Sequence, residues 1–134
     1  MLDAGPLIAL LHGSDPDHAN AAAGFRQLVT ARAHLIAPLP IVFEVFKWLV
    51  YEGGPTVARI GLIRLRQSVE IMYPVEADLE TVTAIVAALP AWSGTLEDAL
   101  VAATGLRWAA PVWTLNYRDL SAFGKLEFWT PLPE

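Results

Sequence analysis

Short, continuous apolar stretches alternate along the chain with longer segments in which apolar residues recur every three or four positions. The first pattern is typical of buried strands and the second of amphipathic helices. Pro and Gly residues separate the segments, and Pro also stands where several helices would begin. The pattern predicts strands near 34–37, 69–75, 111–114 and 126–129, and helices near 5–11, 16–32, 40–52, 55–67, 76–89 and 95–109.

Strands that alternate with helices of this length indicate a parallel α/β sheet. Right-handed crossover connections then place helices on both faces of the sheet. No linker, repeat or low-complexity tract interrupts the chain. We therefore predict one domain over residues 1–134, a three-layer α/β/α sandwich with a short, mainly parallel central sheet.

Composition narrows the functional classes. The hydrophobic fraction is 54%, which predicts either a sheet covered on both faces or apolar surface kept for a partner. The absence of Cys excludes disulfides and thiolate metal sites. We expect a cytoplasmic protein without a membrane span, because neither a long apolar run nor a signal peptide is found. A net charge of −5 argues against coating nucleic acid without sequence preference.

Three carboxylates stand in apolar surroundings, namely Asp3, Glu44 and Asp98. A buried carboxylate is costly unless something pairs with it. Asp3 also lies where a strand passes into a helix, which is where ligand sites of open α/β sheets are found. If the three carboxylates meet, they form a site for a hard divalent cation.

Each carboxylate also has a simpler structural explanation. Asp3 could cap the helix that follows it. Glu44 could form a surface pair with Lys47 at helical spacing. Asp98 could complete a capping box with Thr95. Taken singly these explanations stay open, whereas a shared site accounts for all three positions together.

A further polar group follows the predicted strand at 111–114. Thr114, Asn116 and Asp119 lie just past its carboxyl end, although a turn or a helix cap would also explain Asn116 and Asp119.

The order of these motifs resembles the PIN-domain family, and within it the VapC-type toxin ribonucleases of VapBC toxin–antitoxin pairs. The resemblance covers essentially the whole chain. It rests on Asp3-x-x-x-Leu7-Ile8, Pro40-x-x-x-Glu44, Asp98-Ala99-Leu100-Val101-Ala102-Ala103 and Thr114-x-Asn116-x-x-Asp119-Leu120.

This resemblance implies an endoribonuclease that uses Mg²⁺ or Mn²⁺ to activate a water. It implies that Asp3, Glu44 and Asp98 bind metal, with Asp119 as a fourth acid. Thr114 and Asn116 would orient the metal, its waters or the scissile phosphate. Two positions depart from the family pattern: Asn116 stands where many relatives have Asp, and Ala4 where many have Thr or Ser.

The expected substrate is RNA, with tRNA as one candidate. The candidate substrate-binding residues are basic side chains and one loop tryptophan, although a solvated helix face also explains the arginines. They are Lys47, Arg59, Arg66, Trp92 and Arg118. The resemblance further implies a VapB-like antitoxin partner and a homodimer, with the apolar helices 41–51 and 56–65 supplying the contact surface.

Two other classes of function stay open at this point. One is a catalytically weak PIN-like domain that binds RNA or protein, which the departures at Ala4 and Asn116 favour. The other is an unrelated α/β phosphoryl-transfer enzyme. The chain has no Gly-rich nucleotide loop to support the latter.

Overall fold

The computed structural model describes all residues from 1 to 134, and its helices and strands follow the predicted order. Six helices and two strands are formed. In chain order they are α1 (Ala4–Leu11), α2 (His18–Thr30), β1 (Ile36–Pro38), α3 (Leu39–Ser68), β2 (Glu70–Met72), α4 (Glu76–Ala88), α5 (Leu96–Arg107) and α6 (Tyr117–Leu120).

The central sheet is short and parallel throughout. β1 pairs with β2, and the Leu2 N–H donates to the carbonyl of Ile36 at 2.8 Å on the other side of β1. Single parallel bridges then join Leu2 to Trp113, and Val112 to Phe128. The spatial order is therefore β2, β1, the N-terminal residues, residues 112–113 and residue 128. This arrangement confirms the predicted α/β sandwich with its short parallel sheet.

The predicted strands at 111–114 and 126–129 are present only as these single bridges. Pro111 cannot donate to a ladder. The Thr114 hydroxyl accepts the N–H of Asn116, which turns the chain away from the sheet. The strand pairing is consequently short at the point where the polar residues begin.

α5 packs closely against the centre of the sheet because its inner face is made of small residues. Ala99, Val101 and Ala102 are fully buried, and α5 contacts β1. Asp98 is buried on the same helix, in agreement with its apolar sequence surroundings.

α3 is broken where the sequence predicts two helices. Gly54 has φ 85° and ψ 172°, and Pro55 follows it. A positive φ favours Gly, and Pro has no N–H with which to continue the helical hydrogen bonds. The segment before the break carries Glu44, and the segment after it carries the arginines.

Two local features differ from the sequence expectation. α2 begins at His18 rather than near Pro16, because the Asp15 carboxylate accepts the Asp17 N–H at 2.8 Å and forms a turn there. Residues 117–120 form α6, with Asn116 at the N-cap; a turn or a helix cap was the expectation there, without a defined helix. A helix of a single turn is too short to show a periodic pattern.

No helix is both long enough and apolar enough to cross a membrane.

Candidate active site

Asp3 is both a helix cap and a member of the site. Its Oδ1 accepts the N–H of Ala4 at 2.8 Å at the start of α1. Its Oδ2 accepts the hydroxyl of Thr114 at 2.7 Å. The capping explanation is therefore correct, but it does not compete with a role in the site.

Thr114 connects Asp3 to the segment that follows the sheet. Its fully buried hydroxyl donates to Asp3 and accepts the N–H of Asn116 at 2.8 Å. The N–H of Asp3 in turn donates to the carbonyl of Trp113 at 3.0 Å. These bonds fix the first carboxylate relative to the turn that carries Asn116 and Asp119.

Asp98 forms the predicted capping box at the start of α5. Its Oδ2 accepts both the N–H and the hydroxyl of Thr95, at 2.9 and 3.0 Å, and the Thr95 hydroxyl oxygen accepts the N–H of Asp98 at 3.2 Å. Both hydrogen bonds that the Asp98 carboxylate accepts end on Oδ2. Its Oδ1 therefore stays available to a ligand.

Asp119 is held by side chains from its own turn and from the preceding loop. Its Oδ2 accepts the amide of Asn116 at 3.0 Å. The hydroxyl of Ser93 and the guanidinium of Arg118 lie 3.5 Å from Oδ1. The Asn116 hydrogen bond, helped by Arg118 and Ser93, lowers the pKa of the Asp119 carboxyl.

Glu44 lies half-buried on the first part of α3, and its environment favours the protonated form. Burial, together with the charges of Asp3, Glu97 and Asp98 and against the opposing charge of Lys47, raises the pKa of Glu44 to about 7. The alternative explanation for Glu44, a surface pair with Lys47, is not observed as an ion pair within 4.0 Å. Burial likewise raises the pKa of Asp3, and the charge of Asp98 adds to that effect.

All four predicted carboxylates line one cavity of about 400 Å³. They reach it from the N-terminus, α3, α5 and α6, which are far apart in sequence. Its polar lining consists of Asp3, Glu44, Ser93, Thr95, Asp98, Asn116, Arg118 and Asp119.

The predicted substrate-binding residues divide into two groups. Arg118 lines the cavity, and Lys47 is close enough to lower the pKa of Glu44. Arg59 and Arg66 are exposed on the second part of α3 and do not line the cavity. The Trp92 indole packs on Phe123, with ring centres 5.5 Å apart, and donates to the Asp119 carbonyl at 2.8 Å.

Two residues contribute to the site without having been predicted from the sequence. Ser93 lies beside Asp119, and the charge of Glu97 acts on Glu44 although Glu97 does not line the carboxylate cavity. The adjacency of Glu97 to Asp98 was the available signal. For Ser93 the only signal was its place in the Gly- and Pro-bounded loop at 90–94.

The donor set fits a divalent cation such as Mg²⁺ or Mn²⁺. Carboxylate oxygens are hard ligands. Burial first, and the charges of neighbouring carboxylates second, raise the pKa of Asp3 and of Glu44, so a bound cation would favour their ionised forms. No three acidic or histidine side chains converge closely enough to hold one ion together. Mg²⁺ keeps several of its waters and needs only one or two direct carboxylates, so the cavity suits such an ion.

Comparison with known proteins identifies the fold. No family model matches the sequence, and no curated protein matches it. Among solved structures, VapC20 from Mycobacterium tuberculosis, described as a toxin that cleaves the sarcin–ricin loop, superposes with a TM-score of 0.80. It is 16% identical over 97% of this chain and 98% of its own. The chain has a PIN-like fold.

A second structure supports the same assignment. VapBC-1 from nontypeable Haemophilus influenzae superposes with a TM-score of 0.74, at 17% identity over 97% of this chain and 96% of that chain. The PIN-like fold thus covers 97% of the chain. The resemblance stated from the motifs is confirmed at the level of the fold.

The raised pKa of Glu44 predicts a pH-dependent stability of the cation-free protein. The carboxyl has a pKa of about 7 in the folded chain against an ordinary value of 4.5. The contribution of this carboxyl to the free energy of unfolding is fully present below pH 4.5 and is lost as the pH rises through 7. Glu44→Gln should therefore raise the free energy of unfolding at pH 8 by about 1 kcal/mol, a value discounted for solvent screening of a half-exposed group.

Urea unfolding in chelator, at pH 5 and pH 8, measures this difference. We expect the advantage of Glu44→Gln to shrink at pH 5. Glu80→Gln, which changes an exposed acid on α4, is the matched control and should show no such pH dependence. Equal stability of wild type and Glu44→Gln at pH 8 would contradict the electrostatic description of the cavity.

Loss of the buried Thr114 hydroxyl should lower the free energy of unfolding more than loss of another buried threonine hydroxyl does. Thr114→Val leaves Asp3 Oδ2 and the Asn116 N–H without a partner, at a cost of about 1–3 kcal/mol in the free energy of unfolding. Thr104→Val is the control and should cost less, because that equally buried hydroxyl only donates to the Leu100 carbonyl within α5. Equal destabilisation by the two substitutions would contradict the assigned hydrogen bonds of Thr114.

Proposed function

We propose that this protein is an endoribonuclease dependent on a divalent cation, and that it is the toxin of a type II toxin–antitoxin pair. The observation that carries the proposal is the meeting of Asp3, Glu44, Asp98 and Asp119 around one cavity. The PIN-like fold shared with a toxin that cleaves the sarcin–ricin loop supports the same reaction class.

The carboxylates take separate roles in this proposal. Asp3, Glu44 and Asp98 would hold the principal ion, Mg²⁺ or Mn²⁺, one or two of them directly and the rest through the waters that the ion keeps. Asp119 would hold a second ion or a water in its outer shell. A divalent cation bound there supplies a Lewis acid that makes water nucleophilic and neutralises charge developing on the phosphate. Thr114 and Asn116 keep Asp3 and Asp119 in fixed positions through their hydrogen bonds.

Basic side chains at the edge of the cavity would bind the RNA backbone. Arg118 lines the cavity and is highly exposed, so its guanidinium can reach a phosphate oxygen next to the acids. Lys47 lies on the same helix as Glu44. Arg59 and Arg66 would contact more distant phosphates, because they lie outside the cavity. The Trp92 indole N–H already donates to the Asp119 carbonyl, so it is not free to donate to RNA. A contact between the Trp92 ring and RNA stays a prediction.

Partners are proposed on the same basis. The superposition on VapBC-1 supports a VapB-like antitoxin for this chain. Exposed apolar side chains on both parts of α3 support a homodimer; they include Phe43, Val50, Tyr51, Ile60 and Ile63. A tRNA substrate and a cytoplasmic location stay predictions.

Cleavage of labelled total RNA and of a tRNA pool tests the proposed function. We expect the purified protein to cut RNA in Mg²⁺ or Mn²⁺, to stop in EDTA and to recover when the cation is restored. Cleavage that continues in EDTA would contradict the cation dependence. A folded protein that binds the cation and RNA without cutting would instead favour the alternative, a catalytically weak PIN-like binding module.

A further inference from the structure

A second cavity of about 310 Å³ adjoins the carboxylate cavity. The two cavities share Gly5, Ile8 and Leu115 in their walls. A molecule bound at the carboxylates can therefore extend into the second cavity without leaving the protein surface.

Two helices, α1 and α3, contribute side chains to the walls of both cavities. On α3, Glu44 lines the first cavity, and Trp48 and Glu52 line the second. These residues are four apart and so share one helix face. On α1, Ile8 lines both cavities, and His12 at the helix end lines the second. The path from Glu44 to Glu52 covers about 12 Å at the helical rise per residue.

Trp48 gives the second cavity a flat aromatic wall. Its side chain is 41% exposed, and Tyr51 packs edge-on against it with ring centres 5.7 Å apart. This edge-on contact leaves much of the indole open to solvent. Unstacked RNA bases bind to such rings by stacking.

The polar groups of the second cavity suit the edge of a base rather than a phosphate. Asp15, Asp17 and Glu52 line it, and no Lys or Arg does. Ionised carboxylates only accept hydrogen bonds, so they repel phosphate and favour N–H groups. The acids do not form a cluster able to hold a metal ion. His12 and Ser14 add groups that can donate.

We propose that this second cavity receives an unstacked RNA base next to the scissile phosphate and selects a base with an exocyclic amino group, guanine above all. Trp48 stacks on the base, and Glu52 accepts its N–H groups. Guanine fits best because its Watson–Crick edge presents two neighbouring N–H donors to the two oxygens of a carboxylate, whereas uracil presents one. The inference rests on the proposed function for the position of the phosphate.

Nucleosides test the cavity independently of cation and cleavage, because they carry no phosphate. We would titrate guanosine, inosine and uridine into ¹⁵N-labelled protein in chelator and follow the Trp48 indole and His12 ring signals by NMR. Guanosine should shift them several-fold more than inosine, which lacks the exocyclic amino group, or uridine. Equal shifts by all three, or no shift, would overturn the selection.

Cleavage-site mapping gives a second, functional readout. Wild type should cut RNA with guanine enriched at one fixed distance from the cut. Glu52→Gln should reduce that preference about tenfold, and Trp48→Ala should raise KM about tenfold with kcat nearly unchanged. Glu80→Gln and Trp108→Ala, at exposed positions outside both cavities, are the controls. A preference that survives Glu52→Gln would overturn the role of Glu52.

The two experiments separate the inference from the proposed function. RNA cleavage without any base preference, together with nucleosides that do not shift Trp48, refutes the base cavity and leaves the nuclease intact. Guanosine binding at Trp48 in a protein that cuts no RNA supports the base cavity and refutes the nuclease.

Discussion

Asp3→Asn and Asp98→Asn are each expected to lower the rate of RNA cleavage by at least about 100-fold, which corresponds to about 2.7 kcal/mol of transition-state stabilisation. Each substitution keeps the shape of the side chain but removes one negative charge from the carboxylate cavity. A cation held by few carboxylates loses much of its affinity when one becomes neutral. Single-turnover cleavage of one labelled RNA, at saturating Mg²⁺, measures the effect.

The stability of these variants separates catalysis from folding. Burial raises the pKa of Asp3, so the neutral amide should not unfold the protein, and thermal denaturation in chelator checks this. Glu80→Gln controls for the loss of one surface charge and should cleave at the wild-type rate. If Asp3→Asn and Asp98→Asn stay folded and cleave at nearly the wild-type rate, the carboxylate cavity is not the catalytic site.

Trp113→Ala is expected to lower the free energy of unfolding by about 3–5 kcal/mol, as for other large core aromatics. Trp113 is 2% exposed and lies 4.8 Å, centre to centre, from both Phe25 and Trp129. Gly24 leaves room for the indole, since a Cβ there would lie 2.4 Å from the ring. The substitution therefore empties a closely packed part of the core.

Urea unfolding of Trp113→Ala measures this cost, with Trp108→Ala as the matched control. Trp108 is 42% exposed, so its removal should cost less than about 1 kcal/mol. We also expect Trp113→Ala to impair cleavage, because the Trp113 carbonyl accepts the Asp3 N–H and Thr114 follows it. Equal destabilisation by the two substitutions would contradict the assigned core.

The order of the helices could be predicted because it depends on local patterns, whereas the four carboxylates were joined into one set only by the resemblance. Pro40, Pro55 and the pair Gly53-Gly54 mark helix ends through their own backbone limits, and the break at Gly54 follows from them. Asp98 follows Thr95 by three residues, and this spacing alone predicts the observed capping box.

The remaining features depend on contacts that a single sequence does not display. Ser93 reaches Asp119 across 26 residues, and Trp92 supports the same residue through its indole N–H. The raised pKa of Glu44 arises from Asp3, Glu97 and Asp98, which meet only in the folded chain. The sheet was overestimated because apolar segments such as 126–129 show which residues are buried and not how many hydrogen bonds they form.

Direct measurement of Mn²⁺ binding by electron paramagnetic resonance tests the central claim, that the carboxylate cavity is a divalent-cation site. Wild type should bind Mn²⁺, Mg²⁺ should compete for the same site, and the double variant Asp3→Asn/Asp98→Asn should lose binding while remaining folded. Glu80→Gln should bind as wild type does. Absence of Mn²⁺ binding by the folded wild type, or undiminished binding by the folded double variant, would contradict the claim.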